Sequence, residues 1–264
     1  MNRFALNHGG GATNRLAFTL AEVLITLAII GVVAALTIPS VVTNYRNQEI
    51  VSRLKKTYSA ISNTTNLAIA DHGPINSWHI PPDTENNGQH AKDFVDRYML
   101  PYLRISKDCG NVAPANDPSS DCTYEFTTLS NETYGGYTDS STTKFYMADG
   151  TFVSVRLVSS TFGTDELSQY ASIYIDVNGK QKPNTFGRDI FTFGYSILAK
   201  NKPVGKLLPF RPNDTNAQLS ARCAIGAVGD SCSHIIIKNG WKIPTKEEYV
   251  TKFSGDINNY PWSW

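Results

Sequence analysis

The sequence predicts an α+β chain, with one long N-terminal helix followed by a head in which the second half of that helix packs on an antiparallel β-sheet. Three observations predict it. Residues 18–38, FTLAEVLITLAIIGVVAALTI, run for 21 residues with one charge, Glu22, and at about 1.5 Å per residue a helix of that length crosses a bilayer once. Val51, Leu54, Tyr58, Ile61, Thr65 and Ala68 then recur at steps of three and four, the period of a helix face. From Thr123 onward the period falls toward two, as in strands.

Composition bounds the function. The 264 residues carry 24 Lys and Arg against 23 Asp and Glu, a net charge of +1, which argues against a dedicated nucleic-acid binder. With 41% hydrophobic and 18% charged residues the chain buries a core and is not disordered. Its length suits one or two domains.

The first element is a leader, residues 1–17, with Arg3 and Arg15, no acidic residue, and a Gly9-Gly10-Gly11 run that does not extend a helix. An ordinary secretory signal would be cut after the apolar run, and Ala34-Ala35 before Pro39 can be stretched to fit. The start of the run fits better. Arg15-Leu16-Ala17 followed by Phe18-Thr19-Leu20-Ala21-Glu22-Val23-Leu24 resembles the prepilin-type signal of type IV pilins and type II secretion pseudopilins. The resemblance covers residues 17–43, with Ala17 where the family usually has Gly. It implies that prepilin peptidase cuts between Ala17 and Phe18 and methylates Phe18, leaving the helix attached. Glu22 and Pro39 become the fifth and twenty-second residues, both positions typical of the family.

The chemistry of Glu22 agrees. A carboxylate inside a membrane helix costs about 2.5–3.5 kcal/mol on insertion scales and marks a functional site. The amine freed at Phe18 of a neighbouring subunit is a charge of matching depth, so Phe18, Glu22 and Pro39 are the expected assembly residues. The other reading has Glu22 snorkelling to water at the helix end.

Orientation pulls two ways. Arg46, Arg53, Lys55 and Lys56 follow the span while only Arg3 and Arg15 precede it, so the positive-inside rule alone puts the head in the cytoplasm. The processing motif and four cysteines beyond the span put it outside, in the periplasm or at the cell surface.

After Pro39, which removes one backbone donor and kinks or loosens the helix, the helix should continue to about Ala70, with Arg46, Lys55, Lys56 and Asn63 off the stripe and His72-Gly73-Pro74 as its stop. The head, residues 73–264, opens with a polar connection and a short helix over residues 90–100, apolar at Phe94, Val95, Tyr98 and Met99 and ended by Pro101. Strands are expected at 124–129, 144–148, 151–158, 171–177 and 189–198, with turns at Asp149-Gly150 and Asn178-Gly179. Thr245 and Glu248 form a capping-box pattern. Tyr260, Trp262 and Trp264 either seal the core edge or contact a partner.

Four cysteines permit three pairings; the local one, Cys109 with Cys122 and Cys223 with Cys232, closes the shortest loops. Zinc is disfavoured because no C-x-x-C pair is present. Asp176, Asn178 and Asp189 offer hard oxygen ligands, so the 176–189 segment reads either as a calcium loop or as a hairpin connection, and its spacing fits no EF-hand. Gly229-Asp230-Ser231 near His234 lacks the strand-turn-helix setting of a hydrolase nucleophile. His72, His79 and His90 match no metal spacing, and no phosphate-binding glycine motif follows a strand.

The expectation is a filament subunit, a pseudopilin or minor pilin with no cofactor and no catalytic site. Its expected partners are prepilin peptidase, other pilin subunits, the inner-membrane assembly machinery and, before assembly, membrane lipid. A membrane-tethered adhesin or DNA-capture module and a conventionally secreted enzyme are the competing readings.

Overall fold

The structure, a computed structural model, describes residues 19–78, 88–112, 121–134, 139–161, 167–198 and 205–262. The chain divides into two compact units, Met1–Tyr45 and Arg46–Trp264.

Helix α1 spans Leu20–His72 and its helical hydrogen-bonding continues through Pro39. Its described residues in the first unit are exposed almost throughout, among them Leu24, Ile25, Leu27, Ile30 and Val33. In the second unit one face is buried: Ile50, Val51, Leu54, Thr57, Ile61, Thr64, Thr65 and Ala68. Tyr58, on the expected stripe, is half-buried and donates its hydroxyl to the Leu207 carbonyl at 3.0 Å. Arg46, Lys55, Lys56 and Asn63 are exposed.

Helix α2, Gly88–Tyr98, buries Ala91, Phe94, Val95 and Tyr98. It begins two residues before the expected start and stops short of Pro101, which sits in the following 3₁₀ turn, Leu100–Tyr102. Among the described residues eight strands follow: β1 Ile105–Gly110, β2 Phe126–Thr127, β3 Thr133–Tyr134, β4 Thr143–Met147, β5 Phe152–Thr161, β6 Leu167–Asp176, β7 Ile190–Leu198 and β8 Leu208–Pro209. Six make one antiparallel sheet in the order β1-β4-β5-β6-β7-β8, and β2 pairs with β3 apart from it. The register Val153↔Ile175↔Phe191 puts three apolar residues abreast on one face, and Phe152↔Asp176↔Ile190 lies on the other.

Each face covers its own core. On one, Val153, Val155, Ile173, Ile175 and Phe193 pack with the buried face of α1 and with α2. On the other, Phe152, Tyr174 and Ile190 pack with Tyr124, Phe126 and Phe186. The expected strand 124–129 is thus mostly not a strand. Only two of its residues join a ladder, and its alternating aromatics fill this second core instead.

Helices α3, Asn216–Arg222, α4, Cys232–Lys238, and α5, Lys246–Phe253, complete the head. Thr245 caps α5 through a reciprocal box with Glu248.

Candidate functional site

The helix start carries the sequence motif. Ala17 and Phe18 lie outside the described residues. At the first described turn the Glu22 carboxylate accepts the Thr19 backbone N–H at 2.8 Å and the Thr19 hydroxyl at 2.9 Å. The Glu22 N–H donates back to Thr19 Oγ1 at 3.2 Å. Glu22 is therefore held by a capping box within its own chain, which satisfies donors that a helix start leaves open. Sequence reasoning sought its partner only in another subunit and missed Thr19, although Thr-x-x-Glu ahead of an apolar run is itself a capping signal. Helix α1 is, among the described residues, the one helix long and apolar enough to cross a membrane.

In the head, disulfides join Cys109 to Cys122 and Cys223 to Cys232. The first ties β1 to the segment entering the second core; the second joins the end of α3 to the start of α4. Gly187, at φ +78°, packs beside this second bridge, and a side chain there would collide with Cys232 Sγ.

The segment between β6 and β7 is locked by two buried carboxylates. Asp176 accepts the Tyr124 hydroxyl at 2.9 Å and the Asn178 N–H at 3.2 Å. Asp189 accepts the backbone N–H groups of Asn184 at 2.8 Å and Thr185 at 2.7 Å. Burial raises both above the usual carboxylate range, Asp189 to about 6, and Asp176, which also feels the Asp189 charge, well above it. Both side chains thus work as acceptors for their own connection. Among the described residues, no three His, Cys, Asp or Glu side chains converge as a metal ion requires.

The chain end closes on the same segment. Trp262 donates its indole N–H to the Gly187 carbonyl at 2.7 Å and Arg188 donates to Pro261 O at 3.1 Å. Tyr260 and Trp262 are buried, so both seal a core edge; Trp264 lies outside the described residues. The Ser231 hydroxyl donates to Leu219 O at 2.8 Å, and His234 Nδ1 meets Arg211 O at 3.1 Å. Ser231 Oγ and His234 Nδ1 are thus each engaged with a backbone carbonyl. His72 stacks edge-on against Tyr98, and His79 lies outside the described residues.

The expected strand at 144–148 opens with Lys144, for which alternation gives no sign of burial. Its side chain is fully buried, and its ammonium donates to Val112 O and Asp139 O, both at 2.7 Å. Burial lowers it to about 8.

Residues 13–38 match the model of the prokaryotic N-terminal methylation motif. Residues 40–253, most of the chain, match a family of unknown function (DUF6613). The chain belongs to that family. No curated protein and no solved structure matches it. The methylation motif, a span-length apolar helix and an antiparallel head make this member a type IV pilin-like subunit. Such a motif goes with inner-membrane anchoring and a structural rather than catalytic role.

Proposed function

We propose that the protein is a pseudopilin or minor pilin of a type II secretion or type IV pilus filament. Prepilin peptidase removes residues 1–17, and Phe18 becomes the methylated N-terminus. Residues 18–38 wait in the inner membrane with the head, residues 73–264, on its outer side. On assembly the apolar helices exchange lipid contacts for contacts with one another, and Glu22 leaves its Thr19 cap to meet the Phe18 amine of a neighbour.

The observation that carries this reading is the methylation motif at residues 13–38, ending where the apolar run ends. The two disulfides support an oxidising compartment for the head. Mass spectrometry of the native N-terminal peptide tests it. Methylated Phe18 is expected; a terminus near Ser40 would indicate conventional secretion and refute the proposal.

A further inference from the structure

The apolar run 18–38 holds three hydroxyl side chains, Thr19, Thr26 and Thr37. Two of them serve their own helix: Thr26 donates to the Val23 carbonyl and Thr37 to the Val33 carbonyl, both at 2.9 Å. Back-bonding of this kind is how a helix hides a hydroxyl. Thr19, one residue before α1, donates to a side chain instead, the Glu22 carboxylate.

The hydrogen bonds on that carboxylate are uneven. The Thr19 N–H at 2.8 Å and the Thr19 hydroxyl at 2.9 Å both fall on Oε2, and among the described residues no donor reaches Oε1. The Glu22 N–H donates to Thr19 Oγ1 at 3.2 Å, which directs the hydroxyl proton away from itself and toward the carboxylate. A capping box needs only two side-chain-to-backbone bonds to satisfy the helix donors. The hydroxyl-to-carboxylate bond is a third, serves no backbone group, and orders the carboxylate itself. It draws Oε2 back toward the helix start, the direction in which helical side chains already lean, and leaves Oε1 open.

We propose that Thr19 is a positioning residue for assembly: its hydroxyl holds the Glu22 carboxylate near the helix start with Oε1 open to the Phe18 amine of a neighbouring subunit. The proposal rests on the filament reading above and adds an order of events to it. The incoming amine is accepted at Oε1 while Thr19 still holds Oε2, and the cap is released as the amine takes over. The exchange never passes through a carboxylate with no partner, which is the costly state in hydrocarbon. Phe18 directly precedes Thr19, so after cleavage the new amine lies one residue from the group that sets the depth of the carboxylate.

Substitution of the hydroxyl tests it, because Val has the shape of Thr without the donor. The readout is the share of N-terminally processed, membrane-held protein that enters sheared filaments, which separates assembly from insertion and cleavage. Thr19→Val should lower that share by at least about fivefold, as the loss of a hydrogen bond to a charged group implies, and Thr19→Ser should restore it. In a Glu22→Gln background Thr19→Val should cost nothing more, since the hydroxyl acts through the carboxylate. The proposal is overturned if Thr19→Val enters filaments like the wild type, if Thr19→Ser falls as far as Thr19→Val, or if the two losses multiply in the double variant. Depletion of Glu22→Gln beside normal entry of Thr19→Val removes the role of Thr19 alone, whereas normal entry of Glu22→Gln removes it together with the pairing on which it rests.

Discussion

At the scale of the residue, Asp189 has the most testable physics. Folding removes its carboxyl from water, and its two backbone donors only partly compensate, so its folded pKa stands at about 6 against an ordinary 3.8. Below pH 4 the group is protonated whether folded or not. Between pH 4 and 6 the unfolded chain ionises it while the fold retains the proton, so stability falls as pH rises and levels off above 6. The shift corresponds to about 2–3 kcal/mol. Asp176, raised further, extends the decline to higher pH. Denaturant midpoints of the full chain in detergent should therefore drop from pH 4 to 7. Asp189→Asn should flatten the part between 4 and 6. The variant should also lose about 1–3 kcal/mol at pH 4, since an amide oxygen replaces only one of two acceptors and leaves the Asn184 or Thr185 N–H unpaired. A slope that is unchanged in the variant would refute this account of Asp189.

At the scale of the element, stability should follow the buried face of α1. Leu54 is fully buried and Lys55 beside it is exposed. Leu54→Ala should lower unfolding free energy by about 2–5 kcal/mol through lost transfer energy and a residual cavity, whereas Lys55→Ala should change it by less than about 0.5 kcal/mol. Equal effects in chemical denaturation would mean that this face does not hold the head together. The same contrast explains what could be read from sequence. The α1 face was legible because burial repeats with the helical period, and β5, β6 and β7 because Val153, Val155 and Leu157, Ala171, Ile173 and Ile175, and Phe191, Phe193 and Tyr195 recur at every second position. The edge strand β1 was not, because Ser106, Lys107 and Asp108 are all exposed and show no alternation. Helices α3 and α4 are seven residues each, too short for a period to declare itself. The methylation motif was legible because it is a contiguous pattern, residues 13–38, that needs no tertiary contact to be read. The contact of Arg53 with the Val177 carbonyl was not, because it joins residues 124 apart in sequence.

At the scale of the whole molecule, the question is what the one carboxylate in the apolar run does. Two roles are in play: closing the helix start with Thr19, as its hydrogen bonds do, and neutralising a neighbour's N-terminal amine in a filament. Glu22→Ala removes both and so decides nothing between them. Glu22→Gln separates them, because Gln serves a capping box as Glu does but carries no charge. If capping is the whole role, the Gln variant should insert, be processed and assemble like the wild type. If pairing with a Phe18 amine drives assembly, the Gln variant should insert at least as well, since an intramembrane charge costing about 2.5–3.5 kcal/mol is gone, yet be depleted from filaments. The expected outcome is the second: wild-type levels of N-terminally processed protein in the membrane fraction, and a loss of at least tenfold from sheared filaments. A tenfold loss corresponds to about 1.4 kcal/mol per subunit contact, a modest demand on a charge pair in a low-dielectric core. Normal filament incorporation of Glu22→Gln would leave Thr19 as the partner that matters and remove electrostatic pairing from the assembly mechanism.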